Sequence, residues 1–360
     1  MTAALRSAQS LRRTCLATTL LFTGDINLMN VTDPKGPFGR VTGTLAAADI
    51  RFANLECCFY QPAGARSLSD EGFYAAPAMA QALRVAGFEV VGTANNVNYG
   101  AAAIVSSLRA LDEIGVAHTG SGANSVAAHA PAIVQAQGIK AAFLQRTSVY
   151  WPTNHEAGEE SPGVAALRGE TAYRVPAHKT RAEIPPMNRP GIPPEVITWA
   201  EPKYLQRLRD DIARLRKEAD IVVASHHWGL HQDVLQYMTE IAHAAIDAGA
   251  DVVVGHGPHY SLPVEIYKGK PIFYGLGSFS FHTGHGGHKH GDWVGMMARV
   301  VVDGGKTTEA AFRFVRHSDD NATYFPKPDA EQATIEELKK RGAAFGTKYS
   351  ISGDEVVVSR

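Results

Sequence analysis

The sequence predicts an α/β protein, and three observations support this class. Short, continuous apolar segments typical of buried strands alternate with amphipathic segments of helical spacing. Glycines or polar residues follow these segments, where strands and helices are expected to end. The chain has 360 residues, 45% of them hydrophobic, so it is long enough to bury a large core without disulfide bonds.

The N-terminal part of the chain is predicted to contain three strands and two helices. Strands are predicted at Leu16–Thr23, Asp49–Glu56 and Phe88–Asn96, because each segment is apolar and runs into a polar turn. Helices are predicted at Pro77–Ala86 and Ala101–Ile114, each followed by a glycine suited to the C-terminal cap.

The C-terminal part continues this alternation and then changes to antiparallel strands. Leucine and isoleucine at helical spacing predict a helix over Lys203–Ala219, and a second helix is predicted over Val234–Ala248. Each helix leads into a valine-rich strand. Two hairpins follow, with turns at Lys268–Gly269 and Gly304–Gly305, and then a helix over Glu331–Arg341.

The alternation predicts one domain over residues 16–325, followed by a helix and tail over 326–360. Residues 147–202 are rich in proline and glycine and show little periodicity. Because the strand and helix pattern resumes after them, we interpret this segment as a long excursion near the site and not as a linker.

The charge balance and the N-terminus bear on partners and location. With 35 Lys+Arg against 36 Asp+Glu, we expect no binding to nucleic acid or to an anionic membrane surface. Three arginines precede a short apolar stretch, as in a signal peptide, but Thr18 and Thr19 interrupt that stretch and no small-residue cleavage site follows. We therefore expect a first strand, no membrane anchor and a cytoplasmic protein.

Polar residues suited to metal binding follow five predicted strands. Of the 15 histidines, ten lie between His226 and His290. Each residue alone has an ordinary explanation, since Asp25 could cap a turn, the asparagines favour turns and a histidine could lie in the core. Together they predict a site for one or two Zn, Mn or Fe ions, because ligands bind beyond the carboxyl ends of strands. The strand-end residues are Asp25, Glu56, Asn95, Asn96, His226, His227, His256 and His259.

Several strings of the sequence, in order and spacing, resemble the CapA (PgsA) family of capsule and poly-γ-glutamate biosynthesis proteins, which is similar to calcineurin-like metallophosphoesterases. The strings are LLFTGDINL, FANLE, GTANN, HHWG, DAGADVVVGHGPH and PVEIYKGKPIFYGLGSF, over about Leu20 to Phe281. The resemblance implies a four-layer α/β/β/α sandwich with a dinuclear metal site at the strand ends. It implies that the ligands are Asp25, Glu56, Asn96, His227, His256 and His259.

Three departures from the family pattern affect the expected chemistry. Asn27 stands where metallophosphoesterases usually have histidine, Ser278 replaces an asparagine, and the histidine expected after Asn96 is missing. In phosphoesterases that histidine is the expected proton donor to the leaving group. Histidine titrates near neutral pH, so His226, His231 or His282 is predicted to replace it as general acid or base.

Two functions are consistent with these residues. The first is a metal-dependent hydrolase in which metal-activated water attacks an amide bond, such as a γ-glutamyl bond, or a phosphoester of a small anionic or glutamyl-type substrate. The alternative is a non-catalytic accessory or binding protein of poly-γ-glutamate or capsule biosynthesis with a degenerate metal site. The residues alone do not decide between amide and phosphoester.

Overall fold

The computed structural model describes residues 17–62, 73–97, 100–151, 155–175, 194–229, 231–281, 293–318 and 322–360. The strands are β1 (Thr18–Asn27), β2 (Ile50–Leu55), β3 (Cys58–Phe59), β4 (Tyr74–Ala75), β5 (Val90–Gly92), β6 (Ala117–Thr119), β7 (Ser121–Gly122), β8 (Ala132–Ala136), β9 (Ile139–Thr147), β10 (Gly163–Val164), β11 (Gly169–Arg174), β12 (Glu195–Ala200), β13 (Ile221–His227), β14 (Val252–His256), β15 (Val264–Tyr267), β16 (Lys270–Phe273), β17 (Ser278–Phe281), β18 (Gly295–Asp303), β19 (Lys306–His317), β20 (Thr323–Tyr324), β21 (Lys348–Ser352) and β22 (Glu355–Ser359). The helices are α1 (Thr42–Leu45), α2 (Gln81–Ala86), α3 (Gly100–Ile114), α4 (Ser125–Ala128), α5 (Pro202–Leu215), α6 (Gln236–Ala248) and α7 (Gln332–Arg341). Short 3-10 helices cover Pro77–Ala80, Pro328–Glu331 and Ala343–Phe345.

Two large sheets organise the described residues, which confirms the α/β class. The first has the order β21-β22-β19-β18-β1-β2-β5-β6, with β17 beside β1 and β20 beside β19. Its β1, β2, β5 and β6 strands are parallel, and β18, β19, β22 and β21 are antiparallel neighbours. The second has the order β15-β16-β14-β13-β9-β8 and is parallel from β9 to β16.

The two sheets pack on each other through one buried core. Phe52 of β2 stacks on Phe143 of β9 with ring centroids 5.4 Å apart and the rings nearly parallel. The same core contains valines from both sheets, such as Val300 of β18 and Val254 of β14. Because both apolar faces are buried against each other, the carboxyl ends of β1, β2, β13 and β14 are brought close together.

The helices pack on the sheets through two further cores. Leu83 of α2 and Leu111 of α3 lie in one core with residues of β1, β2 and β5. Ile212 of α5 and Ile241 of α6 lie in another with residues of β13 and β14. Helix α5 begins with Pro202, and the side chain of Glu201 accepts hydrogen bonds from the first backbone N–H groups. No helix within the described residues is both long and apolar enough to cross a membrane.

The predicted hairpins and helices agree with the structure, but the end of the chain does not. The sequence analysis assigned residues 326–360 to a helix and a tail. Strands β21 and β22 instead form a hairpin that pairs with β19 and extends the first sheet. The sequence of β21 is mostly polar, and the three consecutive valines of β22 form too short an apolar segment to indicate a strand by themselves. The excursion at 147–202 contains the β11–β12 hairpin.

Candidate functional site

Asp25 lies near the carboxyl end of β1, where the strand bends. The pairing of β1 with β2 shifts register between Thr23 and Asp25. A Cβ atom on Gly24 would lie 1.9 Å from the carbonyl oxygen of Gly277, so only glycine permits this close approach. The Asp25 N–H donates to the same carbonyl at 2.8 Å. These contacts hold the Asp25 carboxylate in the buried interior, where its side chain is fully inaccessible.

Four other predicted ligands converge on Asp25 from three neighbouring strand ends. Glu56 directly follows β2, His227 and His256 end β13 and β14, and His259 lies three residues further on. Atom Nδ1 of His256 is 3.4 Å from Asp25 Oδ1, and Nδ1 of His259 is 3.1 Å from Asp25 Oδ2. Glu56 Oε1 lies 3.7 Å from His227 Nε2 and 3.8 Å from His259 Nε2.

The tightest part of this group is formed by Asp25, Glu56 and His259. One ligand atom from each of these three side chains lies within 4.8 Å of the other two. His259 adopts a positive φ of 63°, which turns its ring back toward β1, and the ring stacks on Trp293 at 4.6 Å. The arrangement has the residue types and the compactness of a site for a divalent cation.

Unpartnered polar atoms test whether a metal ion fits this group. Buried polar groups normally have hydrogen-bond partners, so buried atoms without one need an explanation. In this group, Glu56 Oε2, His227 Nε2 and His256 Nε2 are buried without a hydrogen-bond partner. These carboxylate and imidazole atoms have free lone pairs and belong to residues that surround Asp25, which fits one or two divalent cations.

The pKa shifts of the residues in this group also fit a site for a divalent cation. Burial would raise the pKa of Asp25, but the neighbouring His256 and His259 outweigh it and hold the pKa well below its ordinary value. Burial and the negative charge of Asp25 raise the pKa of Glu56 well above its ordinary value. Burial also lowers the pKa of His227 to about 4, so this ring is neutral at pH 7 and can donate a lone pair.

His259 behaves differently from the other two ring ligands. Burial lowers its pKa, but the charges of Glu56 and Asp25 outweigh this effect and raise it. The imidazolium form of His259 therefore competes with a cation for the two carboxylates, and metal binding must displace its proton.

Three residues that the sequence analysis did not select hold the predicted ligands in place. Asn54 Nδ2 donates to Asp25 Oδ1 at 2.8 Å, and Thr147 Oγ1 lies 3.1 Å from His227 Nδ1. The Thr147 contact leaves Nε2 of His227 facing the cluster. Ser278 Oγ is 3.4 Å from His259 Nδ1, which gives a role to a position noted only as a departure from the family pattern. A buried polar residue near the end of a predicted strand is the signal that identifies Asn54, whereas Thr147 was placed in the excursion and only the structure shows it at the end of β9.

The two asparagines of the turn after β5 have different surroundings. Asn95 is fully buried, and its amide donates to the Leu55 carbonyl at 2.7 Å. Asn96 keeps a buried Oδ1 without a partner, as expected of a ligand. Asn27 Oδ1 accepts a hydrogen bond from Met29 N–H at 2.9 Å, so it closes the turn after β1.

Of the three histidines predicted for proton transfer, His226 points away from the cluster. His226 precedes His227 on β13, and adjacent strand residues point to opposite faces. Its ring stacks on Trp228 at 4.9 Å, in the core below α5 and α6, and burial lowers its pKa to about 3. His231 is exposed on the loop after β13. His282 lies outside the described residues, so its role and that of His231 stay predictions.

Arginine suits an anionic substrate, but the arginines within or next to residues 147–202 pair with carboxylates or lie outside the described residues. Arg146 is buried and forms an ion pair with Asp211 at 2.8 Å. Arg174 pairs with Glu195 across the β11–β12 hairpin. Arg181 and Arg189 fall in a segment that is not described. Arg146 is therefore a structural residue that ties β9 to α5.

A comparison with protein families identifies the chain. The family model described as "Bacterial capsule synthesis protein PGA_cap" matches residues 18–283, which contain all the predicted ligands. The chain belongs to this family. The family resemblance stated from the sequence is thereby confirmed.

Several curated proteins are similar to this PGA_cap family member. It is 28% identical over 284 residues to the uncharacterized protein y4sH of Sinorhizobium fredii, covering 68% of this chain and 61% of that one. It is 27% identical over 267 residues to a probable polyglutamine synthesis accessory protein of Mycobacterium tuberculosis, covering 71% and 63%. It is 41% identical over 99 residues to the PGA biosynthesis protein CapA of Bacillus subtilis, covering 27% and 24%. The chain thus spans less than two thirds of the length of the curated relatives it matches.

Proposed function

We propose that this PGA_cap family member is a metal-dependent hydrolase that cleaves γ-glutamyl amide bonds. The observation that carries the proposal is the convergence of Asp25, Glu56 and His259 within 4.8 Å, with buried ligand atoms left unpartnered. Such atoms cost free energy when they are buried without partners, and a bound cation would remove this cost, whereas the degenerate metal site of the alternative accessory protein would leave part of it in place.

The fold that we propose is the four-layer α/β/β/α sandwich of metallophosphoesterases. Its support is the shared core of the two sheets together with the helix cores on their other faces. In such a fold the metal site lies where strands from both sheets end, and Asp25 and Glu56 of one sheet would face His227 and His256 of the other.

The chain's own residues would each have a defined task. Asp25 and Glu56 would supply negative charge, and His227, His256 and His259 would supply neutral nitrogen ligands, with Asn96 as an oxygen ligand. A bound divalent cation supplies an acidified water molecule and polarises the oxygen of the scissile bond. Thr147 and Asn54 would keep the ligand side chains in the orientation that this chemistry needs.

The proposed substrate class follows from the relatives. Two relatives are named for PGA or polyglutamine synthesis, which suggests a glutamyl polymer. Because the histidine expected after Asn96 is absent, the leaving amine would take its proton from another donor, such as the water molecule after its attack.

The proposal is tested by incubating the Mn²⁺-loaded protein with poly-γ-glutamate and, separately, with bis(4-nitrophenyl) phosphate. We expect metal-dependent shortening of the polymer and much slower release of nitrophenol. The matched variant Asp25→Asn should lose the activity on poly-γ-glutamate. Cleavage of the phosphodiester alone would contradict the amide assignment, and polymer binding without cleavage of either compound would support the accessory role instead.

A further inference from the structure

We infer that Gln145 is a positioning residue that sets the orientation of Asp25 through Asn54; the inference rests on the metal site of the proposed function. Gln145 lies on β9 of the second sheet, whereas Asn54 and Asp25 lie on β2 and β1 of the first. All three side chains are fully buried. The Nε2 group of Gln145 donates to Asn54 Oδ1 at 3.0 Å, and Asn54 Nδ2 donates to Asp25 Oδ1 at 2.8 Å.

The direction of this relay is fixed by a backbone group. The N–H of Ala94 can only donate, and it donates to Gln145 Oε1 at 2.6 Å. Gln145 must therefore turn its Nε2 group toward Asn54, where it also donates to Ser225 Oγ at 3.2 Å. Asn54 then accepts with Oδ1 and can offer only its NH₂ group to Asp25.

Gly92 leaves room for the side chain of Gln145. A Cβ atom on Gly92 of β5 would lie 2.3 Å from Cδ of Gln145, so the glycine permits the side chain to cross between the sheets. No positive φ accounts for a glycine at Gly92, which leaves close approach as its reason.

The consequence for the site is that the two carboxylate oxygens of Asp25 have different partners. Oδ1 receives the amide donor of Asn54, and Oδ2 lies 3.1 Å from Nδ1 of His259. Asn95 Nδ2 also donates to Asn54 Oδ1, but at 3.4 Å against 3.0 Å for Gln145. If Gln145 were reversed or removed, Asn54 would keep only the longer bond and could turn its oxygen toward Asp25 Oδ1 and repel the carboxylate. The ligand would rotate, and the metal affinity would fall.

The test uses Gln145→Glu, which keeps the size of the side chain but replaces the donor by an acceptor. We measure the Kd of Mn²⁺ by calorimetry and the visible absorption of bound Co²⁺, which reports ligand geometry and not activity. We expect the Kd to rise by about 10- to 100-fold and the Co²⁺ bands to shift, as for other residues that support metal ligands. The control is Gln135→Glu, the same change at an exposed position of neighbouring β8, which should alter neither quantity.

The possible results separate this inference from the proposed function. If the wild-type protein binds Mn²⁺ and a folded Gln145→Glu protein binds it with the same Kd and Co²⁺ spectrum, the positioning role is wrong and the metal site stands. If the wild-type protein binds no divalent metal, both are overturned. If Gln145→Glu does not fold, the uncharged variant Gln145→Met decides: a weaker Kd supports the relay, and an unchanged Kd refutes it.

Discussion

Replacing Asp25 by asparagine should abolish the stabilisation of the protein by divalent metal while leaving the metal-free fold intact. Asparagine has the shape of aspartate and keeps an oxygen for the Asn54 amide, which donates to Asp25 at 2.8 Å. The change removes one negative charge from a group whose ligand atoms lie within 4.8 Å of one another. A cation among these atoms would lie less than about 4 Å from the lost charge.

The size of the effect follows from this distance. At an effective dielectric constant of 20, a divalent cation and one carboxylate about 4 Å apart attract each other by about 8 kcal/mol. If dehydration cancels half of this energy, the loss of about 4 kcal/mol weakens binding by about 1,000-fold. At free metal of about 100 times the wild-type Kd, the wild-type protein gains about 2.7 kcal/mol and the Asp25→Asn variant gains less than about 0.1 kcal/mol.

The assay is thermal unfolding with and without Mn²⁺. An unfolding entropy of about 2.1 cal/mol/K per residue over the 360-residue chain converts 2.7 kcal/mol into a rise in Tm of about 3–4 °C. We expect this rise in the wild-type protein and in the control Asp210→Asn, which changes an exposed carboxylate on α5. An equal rise in Asp25→Asn would refute the assignment of Asp25 as a ligand.

Four further predictions follow from the geometry of the site. The pKa of Glu56 is raised, so its carboxyl holds a proton in the metal-free protein, and metal must displace this proton. Calorimetry in buffers of different ionisation enthalpy should detect proton release, and the metal affinity should increase as pH rises above 4.5. Metal binding without proton release would contradict the raised pKa. His227→Ala should abolish Mn²⁺ binding while His226→Phe retains it, because the two rings point to opposite faces; equal loss in both would contradict the placement. Thr147→Val should raise the Mn²⁺ Kd by about 10-fold or more without unfolding the protein, and an unchanged Kd would show that Thr147 does not orient His227. Gly24→Ala should lower the free energy of unfolding by about 1–3 kcal/mol or more in urea titrations, and a neutral effect would contradict the close approach to Gly277.

The strand ends could be predicted because their local signals agree with the fold. The continuous apolar strands before Asp25 and Glu56 are buried on both faces, and each ends in polar residues. The order of strand and helix then requires the carboxyl ends of neighbouring parallel strands to lie at one edge. For this reason, strand-end residues that are far apart in the sequence could be predicted to lie close together in the structure.

Strand alternation alone could not decide between His226 and His227, and only the family resemblance assigned His227 as a ligand. Both are histidines at the end of one strand, and alternation says only that they face opposite sides. The side that faces the first sheet is set when the second sheet, in which β13 pairs with β9 and β14, packs on the first. His227 lies on the face of β13 that meets the first sheet, and it therefore joins the cluster. His226 lies on the opposite face with Trp228, in the core below the helices.

The supporting polar network was missed for a related reason. Gln145 lies near the end of β9, and a glutamine in a buried part of a strand is itself a sign of a specific partner. Its partners Asn54 and Ala94 are 91 and 51 residues away and become neighbours only when the two sheets pack. The local sequence pattern can therefore indicate that Gln145 has a specific partner, but it cannot predict which residues Gln145 contacts.

The central claim, that a divalent cation binds between Asp25, Glu56 and His259, is tested most directly by anomalous diffraction from crystals soaked in Mn²⁺ or Zn²⁺. The claim predicts an anomalous peak about 2.0–2.2 Å from atoms of these three side chains. A second peak beside His227 and His256 would indicate a dinuclear site. A peak only at the histidine-rich segment 282–290, or no peak at metal concentrations that saturate the crystal, would contradict it.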